Sequence, residues 1–181
     1  MLKKQYYNLE NKIPFIKILK NVYSKMPGRG MPRRYKYLFS TVREKRVRKI
    51  MEIGTWTGIH ALGMIEEAKK QFKQEEIEYY GFDLFELLDH DTSVKEVSIP
   101  PPHSKEVEEK LQKTGVKVHL YKGYTQQTLP ALVGRLPIMD FIYIDGGHSL
   151  DTIASDWKYA QEFMDENTVV IFDDYWNRDD A

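Results

Sequence analysis

Two short segments place acids and a histidine at spacings that could do chemistry. They are Asp140-Phe141-Ile142-Tyr143-Ile144-Asp145-Gly146-Gly147-His148 and Val169-Val170-Ile171-Phe172-Asp173-Asp174-Tyr175-Trp176. Each is an apolar run that ends in acid. If the two runs are neighbouring strands, Asp145, Asp173 and Asp174 converge at one edge of a site. Like charges so close are costly unless a cation neutralises them. Oxygen ligands without thiolate suit Mg²⁺, Mn²⁺ or Ca²⁺. Mg²⁺ would keep open positions for a substrate's hydroxyls and lower the pKa of one. His148 lies three residues past Asp145. A histidine can take up a proton near neutral pH, which suits a general base. Helix capping or simple packing is the competing use of a lone histidine.

A third segment, Lys49-Ile50-Met51-Glu52-Ile53-Gly54-Thr55-Trp56-Thr57-Gly58, ends an apolar run in an acid and then a glycine turn. A strand, a tight turn and a helix in that order make the entry to a nucleotide site in an open α/β sheet. The glycines let the backbone approach a ligand. A dinucleotide fingerprint starting at Gly54 needs glycine where Trp56 and Ile59 stand. A phosphate-binding loop needs Lys and Ser/Thr where Ile59 and His60 stand. Asp83 ends the run Tyr80-Gly81-Phe82-Asp83. A carboxylate there can accept both ribose hydroxyls of a nucleoside, without telling one nucleoside cofactor from another. Thr125 and Gln126, in Lys122-Gly123-Tyr124-Thr125-Gln126, could bond a base edge, although Thr125 also suits a helix cap.

The elements that must position these groups alternate. Strands are expected at 49–54, 78–84, 116–122, 139–145 and 168–173. Helices are expected at 58–73, 104–114, 126–132 and 149–164. That alternation argues a Rossmann-like, doubly wound, mostly parallel sheet. Ligands in such sheets sit beyond the carboxyl ends of the strands, where Glu52, Asp83, Asp145 and Asp173 stand. Upstream, Ile13 to Tyr23 reads as an amphipathic helix and Pro27 to Pro32 as a break. A second helix covers Arg34 to Glu44, with Tyr37, Leu38, Thr41 and Val42 inward. Leu87 to His103, with three consecutive prolines, reads as a long loop of the kind used for lids and binding.

Net charge is zero, but its distribution is uneven. Of the 27 Lys/Arg, 15 lie in residues 1–50, leaving 12; of the 27 Asp/Glu, 2 lie there, leaving 25. Residues 1–47 are therefore expected as a basic helical arm and 48–181 as the ligand-binding domain. The arm could contact nucleic acid or an anionic surface, or pack on the acidic body. Arg29, Arg33 and Arg34 could hold a phosphate or nucleotide-sugar. There is no cysteine, which excludes thiol catalysis and thiolate metal sites. No apolar run approaches the ~20 residues of a membrane helix, and Met1 to Tyr7 lacks a signal-peptide core. A cytoplasmic location without membrane attachment is the expectation.

Glu52-x-Gly54-x-x-x-Gly58 resembles the first motif of the class I S-adenosylmethionine-dependent methyltransferases. With Ile144-Asp145-Gly146-Gly147-His148, Phe172-Asp173-Asp174-Tyr175 and Gly81-Phe82-Asp83-Leu84-Phe85-Glu86, the likeness extends to a metal-dependent O-methyltransferase branch close to the macrocin O-methyltransferases. It covers roughly residues 48 to 176, and is more distant to the catechol and caffeoyl-CoA enzymes. The resemblance implies S-adenosylmethionine held by Glu52, Gly54, Thr55, Gly58, Asp83, Thr125, Gln126 and Asp145. It implies Mg²⁺ or another hard cation held by Asp145, Asp173 and Asp174. His148 stands where the catechol enzymes carry a catalytic lysine, and is implied as the base for methyl transfer to a hydroxyl of a small molecule or sugar. The family's sheet continues past the fifth strand, so a sheet lacking its last two strands is expected. Its open edge would favour a homo-oligomer. Two rivals remain. A nicotinamide oxidoreductase is disfavoured by the glycine spacing. A non-catalytic or truncated module would bind RNA or a protein partner through the basic arm. No Asn-Pro-Pro-Tyr-like segment suggests a base-directed nucleic-acid enzyme.

Overall fold

The computed structural model describes residues 33–173. The expected helix at 13–23, the break at 27–32, Arg29 and Asp174 lie outside the described residues. In chain order the elements are α1 (Arg33–Glu44), β1 (Lys49–Ile53), α2 (Ile59–Ala68), β2 (Glu78–Asp83), α3 (His90–Lys95), α4 (Ser104–Gln112), β3 (Lys117–Lys122), α5 (Thr125–Leu132), β4 (Phe141–Ile144), α6 (Leu150–Ala160) and β5 (Val169–Phe172).

The five strands form one sheet in the order β3-β2-β1-β4-β5, and every neighbouring pair is parallel. The chain winds outward from β1 in one direction to β3, then returns to build β4 and β5 on the other side. The strand order therefore reverses between β1 and β4, the place where open α/β sheets bind ligands. The register aligns the strand ends. Ile53 pairs with Phe82 and Ile144, and Ile144 pairs with Phe172. The ladder runs one residue further, through Asp145 N–H to Ile53 O at 2.8 Å and Asp173 N–H to Ile144 O at 2.9 Å. Gly54, Asp83, Asp145 and Asp173 thus stand along one rim.

The apolar runs of β1, β2 and β4 are buried on both faces of the sheet, which is why they do not alternate with polar residues. One face packs α1, α2 and α4 through Leu38, Val42, Ile65, Tyr79, Leu111 and Phe141. The other packs α5 and α6 through Met51, Phe82, Leu129, Ile142, Ala160 and Phe163. Each buried Leu, Ile, Val, Met or Phe among them contributes roughly 1.5–3 kcal/mol relative to exposure. β5 is less covered: Val169 to Ile171 are half-buried.

Three expectations are corrected. Tyr37, expected inward, is 66% exposed. The buried stripe of α1 runs through Tyr35, Leu38, Phe39 and Val42, a helical spacing that leaves position 37 on the outer flank. The segment Leu87 to His103 is not a structureless loop, because α3 lies within it. Asp89 caps that helix, accepting Thr92 N–H at 2.7 Å. α2 ends at Ala68 rather than near Lys73. Residues 33–47 pack on the body, with Leu38, Val42 and Val47 fully buried. Among the described residues no helix is long and apolar enough to cross a membrane.

Candidate active site

A cavity of about 570 Å³ opens beyond the carboxyl ends of β1, β2, β3 and β4. Gly54, Asp83, Thr125, Gln126, Asp145 and His148, all expected from the sequence, line it together. Glu52, Thr55 and Gly58 do not line it. They form the structure beneath its floor. Glu52 and Thr55 are buried, and Gly58 caps α2.

Gly54 is needed for packing against protein. Its φ is 94°, and a Cβ there would overlap the Asp145 carbonyl. The close approach of the β1 and β4 ends, which makes the cavity floor, therefore requires glycine.

Asp83 organises two turns. Its Oδ2 accepts Trp56 N–H at 2.6 Å and its Oδ1 accepts Phe85 N–H at 2.9 Å. Trp56 and Phe85 both have positive φ, 46° and 48°, a conformation unfavourable for aromatic residues that these bonds hold in place. Burial pushes the Asp83 carboxyl up, while the bonds from Phe85 and Trp56 pull it down.

Beneath the floor, the Tyr79 hydroxyl donates to Glu52 Oε2 and lies 3.2 Å from Thr55 Oγ1. Full burial raises the Glu52 carboxyl well above its usual range, only partly offset by Tyr79. His60 sits between the Glu52 and Asp145 carboxyls, its Nδ1 3.9 Å from Glu52 Oε1 and 3.5 Å from Asp145 Oδ2. Its ring lies 4.4 Å from that of Tyr35. Burial pushes its pKa down to about 4, so it is a neutral imidazole near pH 7.

At the β4–β5 corner the Tyr143 hydroxyl is 3.2 Å from Asp145 Oδ2 and 2.9 Å from Asp173 Oδ2. One phenolic proton thus serves two carboxylates. Arg34 Nη1 lies 3.6 Å from Asp173 Oδ1. The two strand-end acids do converge, and here Tyr143 and Arg34 offset their charge. Asp174 lies outside the described residues, and among those described no group of three or more His, Asp or Glu forms a metal site. Two carboxylates meeting at one hydroxyl are still the donor chemistry a hard cation takes, since Mg²⁺ needs only one or two with waters.

His148 is tied to the segment after α3. Its Nδ1 is 2.8 Å from the Glu96 carbonyl, and its backbone N–H donates to the same oxygen at 3.3 Å. A carbonyl only accepts, so Nδ1 carries the proton and the lone pair of the neutral ring is on Nε2. The Glu96 carboxylate accepts from Ser149 N at 2.9 Å, Ser149 Oγ at 2.8 Å and Thr152 Oγ1 at 3.0 Å. Burial would raise its pKa, but these bonds outweigh it and hold the group low. A Cβ at Gly147 would overlap this carboxylate. Glu96 therefore latches the segment after α3 onto the β4–α6 turn. The outer lip, with Val97, Ile99 and Pro101, is apolar.

His60, Tyr143, Glu96 and Asp156 were not evident from the sequence. Tyr143 alone had a signal: it precedes Asp145 by two, and alternation puts both on one face of β4.

A family model described as a methyltransferase domain matches residues 51–175. No curated protein matches the chain. Among solved structures, an O-methyltransferase from Bacillus cereus in complex with SAH is 17% identical, with a TM-score of 0.61 over 93% of this chain and 70% of that one. The O-methyltransferase TomG from Streptomyces achromogenes, involved in tomaymycin synthesis and in complex with SAM, is 16% identical, with a TM-score of 0.60 over 87% and 63%. The SAH-bound methyltransferase PaMTH1 of Podospora anserina is 16% identical, with a TM-score of 0.58 over 94% and 68%. The chain thus spans about two thirds of the length of these structures, and at such identity they share its fold.

Proposed function

The chain belongs to the methyltransferase domain family, and from that premise we propose that it transfers the methyl group of S-adenosylmethionine to a hydroxyl of a small-molecule acceptor. The observation that carries this reading is the single cavity joining Gly54, Asp83 and the Thr125–Gln126 turn to Asp145 and His148. It offers a nucleoside site and a proton acceptor in one enclosure.

In this reading the methionine end of the donor lies over Gly54 and Asp145, above the floor built by Glu52, Thr55 and Gly58. Asp83 holds the ribose. Its oxygens already accept the Trp56 and Phe85 N–H groups, with the Leu84 and Thr55 N–H groups also bonding to it, and the ribose hydroxyls would compete for what acceptor capacity a carboxylate offers. Thr125 and Gln126 flank adenine. His148 Nε2 takes the acceptor's hydroxyl proton. The oxygen then attacks the sulfonium methyl in line: an O–C bond forms, the C–S bond breaks, and the electron pair stays on sulfur. The products are a methyl ether, S-adenosylhomocysteine and a proton on His148. Positioning and charge stabilisation supply most of the rate. The apolar lip of Val97, Ile99 and Pro101 suits an acceptor with an apolar body, a sugar attached to one included. A hard divalent cation such as Mg²⁺, held by Asp145, Asp173 and Asp174, would polarise the acceptor oxygen when bound.

Calorimetric titration with S-adenosylmethionine and S-adenosylhomocysteine, each with Mg²⁺ and with EDTA and with NADH as control, tests the donor. Saturable binding of the methyl-donor pair alone is expected. A folded protein that binds neither overturns the proposal. With an acceptor in hand, unchanged turnover in His148→Ala would remove the base.

A further inference from the structure

The cavity wall holds a buried polar atom that no group among the described residues satisfies. Asp156 is 1% exposed, lines the cavity, and its Oδ1 has no hydrogen-bond partner. It projects from α6, which packs on α5, beside the Thr125 hydroxyl and Gly146. The Thr125 hydroxyl bonds the Asp156 carboxylate and lowers its pKa but leaves Oδ1 without a partner, and the next polar groups are committed elsewhere. Gln126 Nε2 donates to Thr152 Oγ1 at 3.1 Å, and Thr152 Oγ1 donates to Glu96 at 3.0 Å. The other buried orphan oxygen, on Glu52, lies beneath the floor and off the cavity wall. A buried acceptor without a donor is costly and rare. A ligand filling this end of the cavity is therefore selected for bringing an N–H.

The position says which N–H. Gly123 N–H bonds Asp83 O at 3.0 Å, so the turn after β3 flanks Asp83 on the side away from Gly54. A nucleoside with its ribose on Asp83 and its 5′ side toward Gly54 puts its base between that turn and α6. We propose that Asp156 selects the nucleobase of the methyl donor, its uncommitted oxygen accepting the exocyclic amine of adenine and rejecting a 6-oxo purine. The assignment deepens the proposed cofactor role and rests on it. An amine meets the carboxylate as donor to acceptor, whereas a 6-oxo group sets two acceptors face to face.

The test titrates the full chain with S-adenosylhomocysteine and with S-inosylhomocysteine, which differs only in the 6-oxo group. Wild type is expected to prefer the adenosyl compound by about ten- to a hundredfold. Asp156→Asn keeps the shape but adds an N–H₂, so it should cut that ratio at least tenfold and strengthen S-inosylhomocysteine binding. Asp156→Ala removes the acceptor without adding a donor and should bring the ratio near unity. Equal affinities in wild type overturn the assignment. So does a ratio that persists in either variant. If wild type binds neither compound, the cofactor reading falls and this one with it; binding without discrimination sinks Asp156 alone.

Discussion

Asp156 and His60 are buried ionisable groups displaced in opposite senses, and stability against pH separates them. Burial pushes Asp156 from 3.8 up to about 6. Between those values the folded chain holds a proton that the unfolded chain has lost. Stability from this group is therefore fully present below about pH 4 and is lost as pH rises through about 6. At pH 7.5 the buried carboxylate costs about 2–3 kcal/mol. Asp156→Asn removes the charge at nearly constant shape. The ligand-free variant should gain about 2 kcal/mol over wild type at pH 7.5 and almost nothing at pH 4, read by urea unfolding. No gain at pH 7.5 would mean the carboxylate is solvated. His60, pushed from 6.5 down to about 4 by burial, gives stability present above pH 6.5 and lost as pH falls through 4. The two slopes oppose each other, so the difference between variant and wild type, not either profile, isolates Asp156. A second substitution tests the floor: Gly54→Ala meets both the positive φ and the Asp145 carbonyl. It should cost at least about 2 kcal/mol in the same assay. Asp83, Asp145, Asp173 and His148 were legible in sequence because strand ends mark themselves by an apolar run that stops. Asp156 and His60 sit inside helices, where a lone polar residue on a buried face carries no local sign of the cavity beside it.

At the scale of elements, the strands were legible within a residue or two, since buried parallel strands are continuous apolar runs between turns. α1 was legible in extent and, through Leu38, Thr41 and Val42, in phase, with Tyr37 the exception. Tyr37 is as apolar in composition as Tyr35, and only packing on α2 decides which is buried. α3 was hidden because six mostly polar residues, His90 to Lys95, show no apolar period. Glu96, at the C-terminal end of α3, gives that helix its place in the fold. Its carboxylate makes three bonds to Ser149 and Thr152, and its carbonyl holds His148. Glu96→Ala should therefore loosen two separated stretches together. Amide exchange should quicken across 90–99 and 148–152 and stay unchanged in α2, with about 2 kcal/mol lost in global unfolding. Faster exchange at 90–99 alone would show that the β4–α6 turn holds His148 without the latch.

Across the whole molecule, the sheet order puts the cavity at its centre and leaves β5 at its margin. Among the described residues β5 pairs only with β4. Its outer flank is apolar: Phe172 is 40% exposed, and Trp157 of α6 packs edge-on against it at 5.4 Å. Leu150 and Ile153 of α6 are exposed as well. An apolar edge strand without charge or bulge is a template for pairing with another chain. Reversible self-association through β5 is the expected behaviour, with a sedimentation coefficient that rises with concentration in the micromolar range. Phe172→Lys places a charge on that edge at a side chain already open to solvent. It gives up roughly 0.5–1.5 kcal/mol of ring contact with Trp157 but should hold the chain as a monomer over the same range. Donor binding separates the two possible causes. The cavity opens beyond β1 to β4 and Phe172 does not line it, so a monomeric Phe172→Lys should bind S-adenosylhomocysteine as tightly as wild type. Saturation at a hundred times Kd should then stabilise both by about 2.7 kcal/mol. A variant that turns monomeric and also loses binding would place β5 pairing within the assembly of the site. A wild type that sediments as a monomer throughout would mean that β5 does not pair between chains.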